Sequence, residues 1–288
     1  TSRPRREGPG GSAGRRHGGA SLGHATHRSE KPSRSGSLAD LPLECCRLAM
    51  SMSTPTTIAS AHRERPVRLH SATADWMVNR DRQAVLDNPS APNWFELEGD
   101  PRATLVKSGH HRRTWCVNLS EGTVFAKVFD AERGDPFSRL AYALGLGAAR
   151  REWRASRAAA WRGVPAVRCL ALGADRRRGA AVLLSEGLPD AIPLSQAWER
   201  GASSRATALS LIEAVARLFA SAHNRGFVHR DAHPSNILIE PTGGGGWEAR
   251  YVDLHGAYLF NNTAATRCAV GSLAQLDHYF QRRATRSQ

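Results

Sequence analysis

The stretch Gly226-Phe227-Val228-His229-Arg230-Asp231-Ala232-His233-Pro234-Ser235-Asn236-Ile237-Leu238-Ile239 decides the reading of this 288-residue chain. It sets an aspartate and an asparagine five positions apart in a loop, between the glycine-marked end of a helix and a short apolar strand. Phosphoryl transfer calls for two carboxylates and an amide gathered in one place. One carboxylate orients the attacking hydroxyl and takes its proton, while the other carboxylate and the amide hold magnesium on the phosphates. Asp231 suits the first role and Asn236 supplies the amide. The second carboxylate is expected from Asp253, at a strand end in Tyr251-Val252-Asp253-Leu254-His255-Gly256. His233 and His255 are read as hydrogen-bonding within these loops, because Asp231 already serves as base.

Upstream, Phe125-Ala126-Lys127-Val128 puts a lysine at the centre of an apolar strand. Only Lys31, Lys107 and Lys127 are lysines among 40 basic residues, so wherever a cation merely suffices this chain uses arginine. A buried ammonium needs an anion. The α/β-phosphates of a nucleotide provide one, with a helix carboxylate behind the lysine to hold it. Glu152, in Arg150-Arg151-Glu152-Trp153, is the first choice, and Glu132, in a Gly/Pro-bounded loop, is the second. The competing readings are a strand lysine reaching past a sheet edge into water, and a Glu152 solvated among its arginine neighbours.

Working outward, strands are expected from Leu105, over 114–119 and over 123–129, with Glu121-Gly122 as a tight turn between the last two. A helix follows over 136–161, closed by Gly163-Val164-Pro165, then strands over 166–172 and 180–184, giving the order β-β-β-α-β-β. In the second half, Ala208, Leu211, Ile212, Val215, Leu218, Phe219 and Ala222 mark one face of a helix over 204–223. Short segments over 227–229, 236–239 and 251–254 come next, and a last helix over 264–282 carries Leu273, Leu276 and Phe280 on one face. The tip Lys107-Ser108-Gly109-His110-His111-Arg112-Arg113 offers one glycine, Gly109, whose backbone could face phosphate, with Arg112 or Arg113 adding charge; an ordinary basic hairpin tip reads equally well. His110 and His111 lack a third metal ligand at suitable spacing. Glu186 falls where a segment linking two lobes would start, so its backbone is a candidate for meeting adenine, with a surface glutamate as the equal alternative.

The composition bounds the rest. Residues 1–40 hold 8 Gly, 7 Arg and 7 Ser, and no aromatic residue precedes Trp76. Residues 1–70 therefore read as a disordered basic tail, with a net charge of +7 out of the chain's +14. A basic tail suits an anionic membrane surface, and a solvated or non-native upstream segment suits it better; no nucleic-acid partner is expected. The chain starts with Thr1 while Met50 and Met52 offer internal starts, and Gln288 reads as a truncation. No run approaches the roughly 18–20 apolar residues of a membrane span and no secretory signal is present, which suits a cytoplasmic protein. Cys45, Cys46, Cys116, Cys169 and Cys268 include no C-x-x-C pair; Cys116 and Cys169 read as small buried hydrophobes.

Order, spacing and context resemble the protein-kinase-like fold, and more narrowly the lipopolysaccharide kinase (Kdo/WaaP) family. Ala149-Arg150-Arg151-Glu152-Trp153-Arg154-Ala155 followed by Arg162-Gly163-Val164-Pro165 resembles that family's helix and following strand. His229 to Leu238 resembles its catalytic loop, and Val252-Asp253-Leu254-His255 its metal-binding motif; the likeness runs from about Ala103 to Phe280. The resemblance implies an α+β two-lobe fold: an N-lobe over 71–190 with an antiparallel sheet and one helix, and a shortened helical C-lobe over 191–288. It implies transfer from ATP with Mg²⁺ to a hydroxyl, typically of a lipopolysaccharide core sugar at the inner face of the cytoplasmic membrane, so the substrate would be a small molecule or glycolipid. On it, Asp231 is the base, Asn236 and Asp253 bind metal, and Lys127 with Glu152, Gly109 and Glu186 serve the nucleotide. A protein Ser/Thr kinase, an aminoglycoside-type kinase and a truncated, inactive pseudokinase or adaptor are the alternatives.

Overall fold

The computed structural model describes residues 65–284, apart from 72, 89, 110–111, 131–146, 176 and 202–203. The first 64 residues of the tail expected over 1–70, the second-choice carboxylate Glu132, the pair His110 and His111, Cys45 and Cys46, and the helix start expected at 136–146 lie outside the described residues.

Seven strands build the first sheet: β1 (Val67–His70), β2 (Asp75–Val78), β3 (Ala103–Ser108), β4 (Arg112–Leu119), β5 (Gly122–Asp130), β6 (Cys169–Asp175) and β7 (Ala180–Glu186). Their order is β1-β2-β6-β7-β5-β4-β3, and each neighbouring pair is antiparallel. The strand β1 begins inside the stretch that composition assigns to the tail, and neither it nor β2 is among the strands expected from sequence. A short helix, α1 (Ala84–Asp87), follows β2. Alternation then sorts β5 between two cores. Val124, Ala126 and Val128 pack with Trp115, Val117, Val182 and Leu184, while Phe129 packs on the opposite face with Ala149 and Trp153. Lys127 belongs to the Phe129 side by the same alternation. The strand carrying it lies between β4 and β7, inside the sheet, so no edge is available for its ammonium to reach past.

The helix α2 (Ala148–Arg162) crosses that second face. Alanine and arginine favour helix, and its buried positions, Ala149, Glu152, Trp153, Ser156 and Ala159, recur at three and four residues. Gly163 ends it in the left-handed region, φ +68°, with its N–H on Ala160 and the Val164 N–H on Ala159. The segment 166–172 is divided rather than continuous. Ala166 bridges to Tyr251 and the Val167 N–H donates to the Tyr251 carbonyl at 2.8 Å, so β6 starts only at Cys169. Cys169 is buried, which pushes its thiol pKa up to about 12, whereas Cys116 is half-buried rather than a core residue.

The remaining strands are β8 (Ile192–Pro193), β9 (Phe227–Val228), β10 (Ile237–Pro241), β11 (Trp247–Tyr251) and β12 (Tyr258–Leu259), forming a three-stranded sheet β11-β10-β8 and the pair β12-β9. They pack with α3 (Leu194–Gly201), which the sequence reading does not anticipate, α4 (Arg205–Asn224) and α5 (Thr266–Ala284). Ser204 caps α4 by accepting from the Thr207 N–H. Its buried stripe is Leu211, Ala214, Val215, Leu218, Phe219 and Ala222; Ile212, expected on it, is exposed. On α5, Leu276 and Phe280 face the core, with Phe280 edge-on to Trp198 at 4.7 Å, while Leu273 stays exposed. No helix among the described residues is long and apolar enough to cross a membrane.

Tyr251 sits fully buried among Phe219, Phe227 and His229, and its hydroxyl finds no hydrogen-bond partner among the described residues. An unpaired buried hydroxyl costs about 1–3 kcal/mol. Tyr251→Phe is therefore expected to raise the melting temperature by a few degrees in thermal unfolding, at about 2–4 °C per kcal/mol for a domain of this size.

Candidate active site

The loop after α4 begins at Gly226, where φ is +68° and a Cβ would lie 2.0 Å from the Asn262 carbonyl and 2.5 Å from that of Phe260. Only glycine fits there. Arg162 of α2 donates to the Gly226 carbonyl at 2.7 Å, tying α2 to the loop's entrance. Immediately after β9, the His229 ring is buried between two backbone groups. The Asp231 N–H donates to Nδ1 at 3.2 Å, and Nε2 lies 2.9 Å from the Val252 carbonyl. Because Nδ1 accepts, Nε2 must carry the proton, and the ring is neutral. Burial pushes the His229 pKa down, against the hydrogen bond to Val252. An unfolded histidine takes up its proton near pH 6.5. Since the folded ring resists until lower pH, its contribution to stability is present above the unfolded value and is lost as pH falls below it. Melting temperatures at pH 7.5 and 5.5 should consequently differ less in His229→Gln than in the parent protein.

Asn236 folds back on Asp231, its Nδ2 donating to the Asp231 carboxylate and carbonyl, both at 3.0 Å. Only an amide nitrogen can donate to both, so the Asn236 Oδ1 is left outside this pair for a cation. Asp231 itself is exposed. From α5, Gln275 accepts from the Ala232 N–H at 3.1 Å and Tyr279 packs edge-on against His233 at 5.0 Å, so the last helix holds the loop at two successive residues. Nothing in the polar pattern of α5 singles out Gln275, and sequence reading misses it.

The second cluster forms where β5, α2 and the end of β11 meet. Lys127 Nζ lies 2.5 Å from Glu152 Oε1 and 3.5 Å from Asp253 Oδ1, with both pair members of the first contact buried. Asp253 also receives His255 Nδ1 on Oδ1 at 2.6 Å and Arg112 Nη1 at 3.2 and 3.3 Å. Burial pushes the Asp253 carboxyl up, yet the hydrogen bond from His255 and the charges of Lys127 and Arg112 outweigh it and hold the group well below the usual carboxylate range. The same hydrogen bond, donated by His255 Nδ1 to the Asp253 carboxylate, raises the His255 pKa, against burial. Asp253 is the one non-glycine with positive φ among the described residues, φ +61° and ψ +59°, a conformation costing about 1–3 kcal/mol that turns the chain out of β11. The two clusters are joined through Val252, whose N–H donates to the Asn236 carbonyl at 3.0 Å while its carbonyl meets His229.

Glu152, Asp253 and His255 offer ligand atoms within 4.8 Å of one another. The Lys127 ammonium already lies between two of them, so a divalent ion inside this triangle would meet an ammonium at close range. The Asp253 carboxylate and the Asn236 Oδ1 are hard oxygen donors, the type that magnesium takes. The remaining expected residues lie apart. Gly109 closes the β3–β4 hairpin, its N–H on the Arg112 carbonyl at 2.8 Å. At the end of β7, the Glu186 N–H donates to the Arg168 carbonyl at 3.0 Å and its carboxylate accepts from the Arg168 N–H at 2.9 Å, so both groups are engaged with Arg168.

A family model, Lipopolysaccharide kinase (Kdo/WaaP) family, matches residues 101–288, about two thirds of the chain. The chain belongs to the lipopolysaccharide kinase (Kdo/WaaP) family. Its α+β architecture is the protein-kinase-like one, and the chain is a kinase by family. Among curated proteins it is similar to the Lipopolysaccharide core heptose(I) kinase WaaP of Pseudomonas aeruginosa, 30% identical over 192 residues that span 60% of this chain and 70% of that relative. Among solved structures it is similar to WaaP in complex with acyl carrier protein, at 22% identity and a TM-score of 0.49, covering 70% of this chain and 79% of that one. Every element of the two clusters from β4 onward falls inside the span matched by the Kdo/WaaP family.

Proposed function

We propose that this kinase transfers the γ-phosphoryl group of ATP, with Mg²⁺, to a hydroxyl on a lipopolysaccharide core sugar, of the heptose class on which the Pseudomonas relative is named to act. The observation that carries the reading is the buried lysine held between two carboxylates: Lys127 at 2.5 Å from Glu152 and 3.5 Å from Asp253. Bound magnesium-ATP supplies the transferable phosphoryl group, the metal drawing off charge that develops on the phosphate oxygens. Glu152, fixed on the buried face of α2, holds the ammonium so that its remaining donors can meet the α/β-phosphates. Asp253, at the positive-φ position that follows β11, and the Asn236 Oδ1 are the residues that would hold the metal. Asp231, exposed and tethered through Asn236, orients the sugar hydroxyl and takes its proton. The hairpin at Gly109 covers the phosphates, and the segment leaving β7 at Glu186 lies beside adenine. A core sugar places the reaction at the inner face of the cytoplasmic membrane.

Incubation with γ-labelled ATP and Mg²⁺, offering heptose-containing core oligosaccharide and casein in parallel, tests the reading. Label is expected in the oligosaccharide. Label in casein alone would make the protein a Ser/Thr kinase, and nucleotide binding without transfer to either would mark a non-catalytic family member.

A further inference from the structure

Arg112 stands at the first position of β4, and its partner Asp253 lies 141 residues away, two residues past β11. A single guanidinium nitrogen bridges both carboxylate oxygens, at 3.3 Å from Oδ1 and 3.2 Å from Oδ2. These distances exceed the roughly 2.7–2.9 Å of a strong charge-assisted bond. The two oxygens of Asp253 are not equivalent. Oδ1 is taken by His255 at 2.6 Å and approached by Lys127 at 3.5 Å, whereas Oδ2 takes its one hydrogen bond among the described residues from Arg112. Oδ2 is thus the oxygen nearest to being free, and a tethered cation covers it.

The geometry points to Arg112 as a positioning residue, acting through Asp253: its guanidinium holds Oδ2 until a divalent cation takes that oxygen, and so ties the β3–β4 hairpin down over the end of β11. This rests on the reading of Asp253 as the metal-facing carboxylate. A partly exposed ion pair with long bonds is a weak competitor, which is what a displaceable tether requires. Linkage makes the effect reciprocal: whatever occupies Oδ2 releases the hairpin, and whatever loosens the hairpin exposes Oδ2. Released, the guanidinium stays on the hairpin with its planar fork of donors, suited to phosphate oxygens. The hairpin hydrogen bond from the Gly109 N–H to the Arg112 carbonyl reports on the same movement.

Mn²⁺ serves as the probe, titrated without nucleotide into the full chain and followed by loss of its free EPR signal, while hydrogen exchange reports on the Gly109 amide. Arg112→Gln is expected to bind Mn²⁺ about threefold tighter than the parent, a change of under 1 kcal/mol. Arg113→Gln removes the same charge one residue on, where the guanidinium pairs with Glu98 at 2.9 Å, and should leave the affinity unchanged. Addition of Mn²⁺ should speed exchange at Gly109 in the parent and have no further effect in Arg112→Gln. Equal affinities in the parent and Arg112→Gln, equal tightening by Arg113→Gln, or exchange indifferent to Mn²⁺ would each overturn the tether while leaving the metal assignment standing. Undiminished Mn²⁺ binding by Asp253→Asn would instead remove the metal assignment, and the tether with it.

Discussion

Lys127→Met is expected to lower phosphoryl transfer about 10²–10³-fold, the usual cost of removing one preorganised charge from a transfer site, and to destabilise the protein at the same time. The pair it breaks is buried, with side-chain exposures of 9% for Lys127 and 5% for Glu152. Glu152 would keep its charge in the core with no cation bonded to it, and its Oε2 already has no partner among the described residues. Breaking one side of a buried pair costs about 3–5 kcal/mol. At about 2–4 °C per kcal/mol, the melting temperature should fall by roughly 10 °C. The double variant Lys127→Met/Glu152→Leu separates the two effects, because replacing both members with apolar groups is often neutral. Stability should return in the double variant and activity should not. A structural ion pair without a catalytic part would recover both.

Asp231→Asn should leave the fold intact and remove the chemistry. The side chain is exposed, so its loss uncovers no buried charge. An asparagine there can still accept from the Asn236 amide, which now bonds to the carboxylate at 3.0 Å. What it cannot do is take a proton from the sugar hydroxyl. General-base removal typically costs 10²–10⁴-fold, expected here in kcat with KM for ATP unchanged. Circular dichroism and thermal unfolding should match the parent protein. A rise in KM with kcat preserved would place Asp231 in binding instead.

Much of this site was legible because its decisive residues sit in local patterns. Asp231 and Asn236 lie five positions apart on one loop, and a hydrogen bond closes over that loop. Lys127 was conspicuous through lysine's scarcity, and Glu152 through its place on the helix that follows the lysine's strand, where α2 buries it. Long-range pairing was harder to read. The strands β1 and β2 have four residues each, and β2 finds its second partner nearly 100 positions on, with Asp75 opposite Ala174. The run over 166–172 is apolar apart from Arg168 and reads as one strand, yet its first part pairs with Tyr251 and its second with β2 and β7. No periodicity distinguishes one partner from two. The contact between Arg112 and Asp253 is likewise invisible locally, since it depends on how two sheets face each other. Arginine abundance hid it further: one guanidinium among so many carries no signal of its own.

The central claim is that Lys127 and Asp253, brought to 3.5 Å from separate sheets, form a magnesium-nucleotide site. Calorimetric titration of a non-hydrolysable ATP analogue with Mg²⁺ into the parent, Lys127→Met and Asp253→Asn tests it most directly. At least a tenfold loss of affinity is expected in each variant, with the loss in Asp253→Asn disappearing when Mg²⁺ is withheld. Parent-like affinity in both variants would contradict it.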